Sequence, residues 1–274
     1  MPQLWQNAVA QGRDFPAYLV EEHGDWREVS WDEAGQAVDE LARGFAARGL
    51  RKGDRVAILG RTTLDWALVD LALATVGVIT VGIYPDSSAR DCRYVVEHAE
   101  CAGIVAEDGD QLAKVEAARL DHVLTFADLE GLRDEGRSAP AAFPEIDDDD
   151  FYTFIYTSGT TGPPKACMIR HRHFFDMVAI VDEIPGLVEP RDVALHFLPL
   201  AHNFGRLLHL AGPYIGLTLA LVPDPVRIGK ALEAVRPTIL PGVPRVFETF
   251  HGRTMAALRA ATGARGLLVR WALG

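Results

Sequence analysis

The sequence predicts an α/β fold in which parallel-rich sheets are flanked by helices. Two observations support this prediction. Segments whose apolar residues recur with helical spacing alternate along the 274 residues with short β-branched runs that are typical of strands. The first of these helices also carries end signals, because Ser30 and Glu33 have the spacing of a capping box and Gly49 follows the last apolar position. Such an alternation implies parallel strands whose faces are covered by helices.

The same patterns place the elements in order. Helices are predicted for residues 34–45, 63–75, 111–118, 171–182, 203–210 and 228–235, with two more that begin at Ser88 and Pro244. Strands are predicted for residues 55–59, 78–84, 104–106, 123–126, 151–156, 193–197, 217–222 and 239–240. Ser88 is followed by Asp91, which is a helix-start signal, and proline is favoured at the first position of a helix.

One stretch interrupts this alternation and predicts the domain organisation. Residues 131–150 are rich in Gly, Pro, Ala and acidic residues, and they end in four consecutive aspartates. A charge run of this kind is typical of a solvated connection. We therefore expect residues 1–150 to form a first α/β subdomain with an acidic linker at its end. Residues 151–274 are expected to carry a loop-bearing strand and part of a second α/β subdomain.

Charge and hydropathy narrow the classes of function. The net charge of −11 disfavours nucleic acid and anionic membranes as general partners. The first residues lack the basic and apolar regions of a signal peptide. The longest apolar stretch, residues 67–83, is interrupted by Asp70 and Gly77, so no transmembrane segment is expected.

The sequence also predicts no metal site of its own. Cys92, Cys101 and Cys167 have no metal-ligand spacing and cannot all pair, which is typical of reduced thiols in a cytoplasmic protein. His171 and His173 are two residues apart, and this spacing does not place two ligands on one face of a helix.

Residues 153–165, TFIYTSGTTGPPK, carry the most specific chemistry. The β-branched and aromatic run that ends at Tyr156 predicts a strand. Glycines then let the backbone approach an anion, successive N–H groups form an anion-binding nest, and hydroxyls and a lysine add donors and charge. The segment is therefore suited to holding polyphosphate. The residues predicted to bind phosphate are Thr157, Ser158, Gly159, Thr160, Thr161, Gly162 and Lys165.

Two other interpretations of this segment fit less well. A flexible linker rarely follows directly on a strongly β-forming run, and it rarely ends in Pro-Pro-Lys. A Walker A loop needs Gly-x-x-x-x-Gly-Lys-Ser/Thr, whereas Gly159 and Gly162 are three residues apart and Ala166 follows Lys165.

The loop resembles the phosphate loop of the adenylate-forming (AMP-binding) superfamily, which includes acyl-CoA synthetases, luciferases and peptide-synthetase adenylation domains. That family's pattern is Thr-Ser-Gly-Thr-Thr-Gly-x-Pro-Lys-Gly, and residues 157–165 match every fixed position. The one departure is Ala166, where the family has glycine. If that position required φ > 0, alanine would strain the backbone by roughly 1–2 kcal/mol.

Three further segments resemble the long-chain fatty acyl-CoA synthetase branch of this superfamily. They are residues 84–98, residues 198–206 (LPLAHNFGR) and residues 237–248 (PTILPGVPRVFE). The resemblance implies that His202 and Phe204 border the acyl pocket. A histidine after a strand is also common as a hydrogen-bonded structural residue. For Arg245, a surface charge at a helix start and a ligand contact are equally compatible with the sequence.

The resemblance implies an ATP-dependent acyl-CoA synthetase for medium- or long-chain fatty acids. A carboxylate would attack the α-phosphorus of ATP to give acyl-AMP and pyrophosphate, and coenzyme A would then displace AMP. Lys165 would be the catalytic charge of the phosphate loop, with Mg²⁺ supplying further charge. The expected partners are ATP, Mg²⁺, coenzyme A and a fatty acid, with no nucleic acid and with peripheral membrane contact only through the fatty acid.

The family's later catalytic segments are absent from the sequence. It has neither the aromatic-Gly-x-Thr-Glu segment of the Mg²⁺ site, nor the ribose-binding Thr-Gly-Asp segment, nor the lysine of a C-terminal domain. We therefore expect an incomplete N-terminal adenylation domain that is inactive on its own. Three alternatives stay open: an acyl-AMP ligase that loads a carrier protein, a non-catalytic fragment that binds nucleotide or a partner, and an α/β domain without a ligand, which the phosphate loop disfavours.

Overall fold

The computed structural model describes residues 1–116, 118–140, 142–157, 163–184 and 186–260. Residues Met1–Ile239 form one compact unit, and Leu240–Gly274 are a second. In the second unit a helix begins at Pro244, as the proline predicts.

Ten strands and ten α-helices are formed within the described ranges. The strands are β1 (Tyr18–Glu22), β2 (Asp25–Val29), β3 (Arg55–Leu59), β4 (Ile79–Ile83), β5 (Gly103–Ala106), β6 (His122–Thr125), β7 (Phe151–Thr157), β8 (Lys165–Arg170), β9 (Val193–His196) and β10 (Thr218–Leu221). The helices are α1 (Pro2–Ala10), α2 (Trp31–Ala47), α3 (Leu64–Val76), α4 (Ala89–His98), α5 (Gly109–Ala113), α6 (Leu129–Ser138), α7 (His171–Ala179), α8 (Asn203–Ala211), α9 (Ile228–Val235) and α10 (Pro244–Ala260).

The two sheets are mainly parallel, which confirms the predicted fold class. The larger sheet has the strand order β6-β5-β3-β4-β7-β8, with only β8 antiparallel to its neighbour. The smaller sheet has the order β2-β1-β10-β9, with only β2 antiparallel. Every residue of α3 from Trp66 to Val76 is buried. A helix that is apolar on all sides has to be enclosed, so α3 lies in the core.

The predicted helix starts are confirmed at the level of single hydrogen bonds. The side chain of Ser30 accepts from the backbone N–H of Glu33, and that of Ser88 accepts from the N–H of Asp91. Most predicted ends lie within three residues of the observed ones. The exceptions are α5, which ends at Ala113, and residues 239–240, of which only Ile239 pairs, in an isolated bridge to Ala194.

The expectation that all of residues 131–150 are a solvated connection is wrong for residues 131–138, because α6 runs to Ser138. Helix α6 packs on α2, and Leu129, Leu132 and Gly136 are buried. Gly136 allows the close approach, since a Cβ there would overlap the backbone carbonyl of Glu40. The described residues 142–150 contain no helix or strand, and the domain boundary at residue 150 stays a prediction.

A buried carboxylate also fixes α6 on α2. Glu40, on α2, accepts from Arg133 at 2.8 Å and from Arg137 at 3.1 Å, and Gln36 donates to it at 2.8 Å. Burial raises the pKa of Glu40, but the hydrogen bonds from these three side chains outweigh burial and hold the pKa below its ordinary value. The acidic and basic residues that resemble a solvated run thus form the contact between two helices.

A second buried charge lies at the centre of the first unit. Arg206 and Asp70 form an ion pair whose side chains are both fully buried. Arg206 donates to the Thr153 hydroxyl at 2.8 Å, and Tyr152 donates its hydroxyl to Asp70 at 2.5 Å. The guanidinium carbon lies 4.7 Å from the ring centre of Tyr152 and 5.2 Å from that of Trp66. Burial lowers the pKa of Arg206, but attraction to Asp70 outweighs it and holds the pKa above its ordinary value. The pair therefore joins α3, α8 and β7.

We predict that Asp70→Ala lowers the free energy of unfolding by about 3–5 kcal/mol, because it leaves a buried guanidinium without its counter-ion. Denaturant unfolding monitored by circular dichroism measures this change. Asp39→Ala is the matched control, since Asp39 pairs with Arg43 on the surface of α2 and should contribute far less. Equal losses in the two variants would contradict a central role for the Asp70–Arg206 pair.

Candidate active site

The loop predicted to bind phosphate connects β7 to β8 in an antiparallel hairpin. Thr157 ends β7 and pairs with Lys165, which begins β8. Both residues are exposed, and Lys165 forms no ion pair with any residue that the structure describes. The other residues predicted to bind phosphate lie outside the described residues: Ser158, Gly159, Thr160, Thr161 and Gly162. The hairpin thus presents a hydroxyl and an uncompensated ammonium on paired positions.

The alanine that departs from the family pattern lies in regular strand. Ala166 pairs with Tyr156 inside β8 and is not among the residues with positive φ. Backbone strain at Ala166, which would apply only to a position with φ > 0, is therefore not present.

The carboxyl ends of five strands open into one cavity of about 470 Å³, which we name the strand-end cavity. Its lining follows β3, β4, β5, β9 and β10 in the chain. Open α/β sheets place ligands at this edge of their strands. The lining residues are Gly60, Arg61, Thr62, Tyr84, Pro85, Asp86, Glu107, Asp108, Asp110, Gln111, Phe197, Pro199, Pro223, Asp224 and Pro225.

Thr62, which no sequence pattern singles out, joins the two sheets at the cavity. Its hydroxyl donates to the carbonyl of Leu198 at 2.9 Å and accepts from the N–H of Leu200 at 3.3 Å. The segment that follows β9 is thereby bonded to the end of β3. Gly205 then brings α8 against this segment, since a Cβ at Gly205 would overlap the carbonyl oxygen of Pro199. These contacts explain why α8 starts beside the cavity.

His202 and Phe204, predicted to border the acyl pocket, lie at the start of α8. His202 is exposed, and its Nδ1 caps the helix by accepting from the N–H of Phe204 at 3.2 Å. Its ring centre is 6.5 Å from that of Tyr84, which lines the strand-end cavity. Phe204 is half-buried. Neither His202 nor Phe204 is itself a lining residue. The ring contact with Tyr84 places His202 beside the cavity, where it also caps α8, and Phe204 lies two residues further along that helix.

The strand-end cavity is strongly acidic, which the sequence did not predict. Its one basic lining residue, Arg61, is already paired, because its Nε donates to Glu107 at 2.7 Å and its backbone N–H donates to the other carboxylate oxygen at 2.8 Å. The hydrogen bond to Glu107 raises the pKa of Arg61. Phosphate groups are repelled by such a lining. The other carboxylates of the lining are those of Asp86, Asp108, Asp110 and Asp224.

The described residues offer neither a cluster of metal ligands nor a helix that could span a membrane. No three His, Cys, Asp or Glu side chains in this part of the chain are grouped so that they could hold a metal ion. No helix in the described ranges combines the length and the apolar character that crossing a bilayer requires.

Two buried histidines lie on elements that lead to the strand-end cavity. His196 ends β9, directly before the lining residue Phe197, and His209 is on α8. Burial lowers the pKa of each to about 3, so both rings are neutral at pH 7. Nε2 of His209 is 2.9 Å from the hydroxyl of Tyr18, whereas neither ring nitrogen of His196 has a partner in the described chain.

Comparison with known proteins agrees with the sequence resemblance. Residues 4–270 match the profile of a family described as AMP-binding enzyme. The chain is 32% identical over 279 residues to the long-chain-fatty-acid–CoA ligase FadD15 of Mycobacterium bovis; the match covers 93% of this chain and 45% of that protein. The chain thus spans about half the length of the curated relative that it matches. The predicted resemblance to the N-terminal part of such ligases is confirmed.

Solved structures show the same fold. The N-terminal domain of FACL13 from Mycobacterium tuberculosis superposes with a TM-score of 0.79 at 20% identity, covering 90% of this chain and 64% of that one. The o-succinylbenzoate CoA synthetase MenE of Bacillus subtilis, solved with an acyl-adenylate intermediate, gives a TM-score of 0.78 at 21% identity, covering 92% of this chain and 64% of that one. The predicted fold, that of an incomplete N-terminal adenylation domain, is confirmed.

We predict that the protein loses stability as the pH falls from about 6.5 toward 3, because the unfolded chain then binds protons that the buried histidines cannot bind. His196→Phe should reduce the slope of unfolding free energy against pH in this window by up to about 1.4 kcal/mol per pH unit. Denaturant melts at pH 5, 6, 7 and 8 measure the slope, and the interval from pH 7 to 8 is the internal control. An unchanged slope between pH 5 and 6 would show that His196 titrates in the folded protein.

Proposed function

The chain belongs to the AMP-binding enzyme family, and we propose that it supplies the phosphate- and acyl-binding part of an ATP-dependent long-chain fatty acid–CoA ligase. The observation that carries the proposal is the hairpin in which exposed Thr157 and exposed Lys165 pair across the predicted phosphate loop. Relatives named as long-chain-fatty-acid–CoA ligases support the substrate class. The whole reaction belongs to the proposal, since the chain covers 45% of the first of these relatives.

The proposed reaction has two steps. A fatty-acid carboxylate oxygen bonds to the α-phosphorus of ATP while the bond from that phosphorus to pyrophosphate breaks. The thiol sulfur of coenzyme A then bonds to the acyl carbon, the bond to AMP breaks and the thiol loses its proton. Lys165 and the loop hydroxyls bind the departing phosphates, so that catalysis by this part of the chain consists of orientation and charge stabilisation.

The residues at the hairpin fit a polyphosphate. Lys165 is exposed and lies opposite a hydroxyl, so its ammonium can turn to an anion without breaking an ion pair within the described chain. The described residues contain no ligand cluster for Mg²⁺. Mg²⁺ commonly binds through substrate phosphates and few protein oxygens, and it would neutralise phosphate charge here. Acyl binding is assigned to His202 and Phe204, beside the strand-end cavity.

Three further points belong to the proposal. We assign coenzyme A as acceptor because the relatives are named CoA ligases, and a carrier protein as acceptor is the alternative. We assign a cytoplasmic location because Cys92, Cys101 and Cys167 are free thiols. A division into subdomains 1–150 and 151–274 also remains part of the proposal.

The test is fatty-acid-dependent exchange of pyrophosphate into ATP. We predict no exchange by the 274-residue chain with palmitate, and exchange by a chimera in which the chain continues into the part of FadD15 from M. bovis that it does not span. In the chimera Lys165→Ala should lower exchange by about one to two orders of magnitude, since a charge-assisted contact contributes roughly 1.5–3 kcal/mol.

The matched control is Lys230→Ala, which replaces an exposed lysine of α9 and should leave exchange unchanged. Calorimetric titration of the 274-residue chain with ATP gives a second measurement that does not need the chimera to fold. Equal exchange, or equal ATP affinity, in the Lys165→Ala and wild-type proteins would contradict the assignment of the phosphate loop.

A further prediction separates the two roles of His202. His202→Ala removes both the imidazole and the helix cap, and cap loss costs roughly 0.5–2 kcal/mol of stability. His202→Asn keeps a good capping side chain and removes only the imidazole. We expect the asparagine variant of the chimera to melt like the wild type, with a changed KM or kcat for palmitate and a nearly constant KM for ATP. If this variant had the same palmitate KM and kcat as the wild type, His202 would act only as a helix cap.

A further inference from the structure

Helix α4 contacts the β7–β8 hairpin on both sides of the loop that connects the two strands. The hydroxyl of Tyr94 donates to the carbonyl of Pro164 at 3.1 Å, and Nδ1 of His98 lies 2.7 Å from the hydroxyl of Tyr156. We propose that Tyr94 and His98, which we name the α4 clamp, are positioning residues that hold the two ends of the phosphate loop. This inference rests on the proposed function.

The contact points give the α4 clamp its role. Tyr156 immediately precedes Thr157, and Pro164 immediately precedes Lys165. Each clamp residue therefore holds the residue next to one of the two phosphate-binding positions that the structure describes. Phosphoryl chemistry depends on the placement of its donors to within a fraction of an ångström, so fixing these two neighbours fixes what the donors can reach.

Helix α4, which carries the clamp residues, is packed into the core. Tyr94 and His98 are four residues apart, so they lie on one face of α4, with ring centres 5.2 Å apart. The ring of Tyr156 meets that of His98 edge-on at 5.7 Å. On its other face α4 buries Cys92, Val95 and Val96 against the sheet. The three rings thus join the hairpin to a helix that is itself part of the core.

The hairpin needs such support because the sheet alone holds it weakly. Strand β8 is at the edge of its sheet and, among the described strands, pairs only with β7. Lys165, Cys167 and Met168 are exposed on it. Beside the hairpin lies an open groove of about 860 Å³, lined in part by the α4 clamp, Tyr156 and Met168. An edge strand with few buried contacts opens locally at low free energy, so two extra hydrogen bonds make a measurable difference.

Both clamp bonds are available at neutral pH. Burial raises the pKa of Tyr156 to about 12, so its hydroxyl keeps its proton and can donate or accept toward His98. Tyr94 is half-buried and donates to a backbone carbonyl, a group that does not change its protonation with pH.

The experiment uses the 274-residue chain and three readouts: hydrogen exchange of the amides in residues 154–157 and 165–168, calorimetric affinity for inorganic pyrophosphate, and melting temperature. Tyr94→Phe removes one hydroxyl and no ring. We expect hairpin exchange to rise by about five- to tenfold, as the loss of one hydrogen bond predicts. Pyrophosphate affinity should fall by about three- to tenfold, because Thr157 and Lys165 are then held less firmly and binding must fix their positions. The melting temperature should stay near that of the wild type.

Two comparisons sharpen the test. Tyr214→Phe is the matched control, because it removes a similar surface hydrogen bond, to Asp182 at 2.7 Å, without changing the hairpin. His98→Leu should reproduce the effects of Tyr94→Phe. His98→Asn should bring hairpin exchange and pyrophosphate affinity back toward the wild-type values, since an amide can still bond the Tyr156 hydroxyl.

The outcomes separate this proposal from the proposed function. Unchanged hairpin exchange in Tyr94→Phe and His98→Leu would overturn the α4 clamp outright. Faster exchange with unchanged pyrophosphate affinity would make both residues supports of the fold and overturn the positioning role. If the wild-type chain bound no pyrophosphate and the wild-type chimera exchanged none, the proposed function would fail and the positioning role with it, whatever the hydrogen exchange showed.

Discussion

The buried pair of Arg206 and Asp70 is the interaction on which the rest of the first unit depends. It joins the fully buried helix α3, the helix α8 beside the strand-end cavity and the strand β7 that leads into the predicted phosphate loop. A buried ion pair adds little net stability, because desolvation offsets attraction, but it strongly penalises any packing that separates the charges. The pair therefore selects one arrangement of these three elements, and with it one relation between β7 and α8.

The arrangement of these elements determines the geometry of the site. Parallel strands end at the same edge, so the residues that follow five of them line one cavity, and Thr62 bonds the edges of the two sheets together. Charge then divides this edge into two parts. The strand-end cavity is acidic, whereas the hairpin carries the exposed ammonium of Lys165. Electrostatics thus favours phosphate at the hairpin, in the place where the loop sequence also predicts it.

Local patterns predicted most of the fold, and tertiary contacts explain two of the elements that they missed, α6 and β8. Capping at Ser30 and Ser88 and the strand before Thr157 are encoded within a few residues, so sequence alone located them. Helix α6 was missed because its charges are satisfied by Glu40, which is about 90 residues away in the chain. Strand β8 was missed because it is defined by its pairing to β7 and not by a pattern of its own. The resemblance singled out His202 as an acyl-pocket residue, which stays a prediction, whereas its capping bond and the acidity of the cavity lining are seen only in the three-dimensional structure.

Strand β7 is held at both ends by interactions of opposite character. Near its start, Tyr152 and Thr153 bond to the buried Asp70–Arg206 pair, and near its end Tyr156 contacts His98 at the surface. A break in the buried contact leaves an uncompensated charge and threatens the fold. A break in the surface contact exposes groups that water can satisfy, so it costs little stability and acts mainly on local opening. In the proposed clamp, α4 can therefore adjust the residues that flank the predicted phosphate loop while the core stays intact.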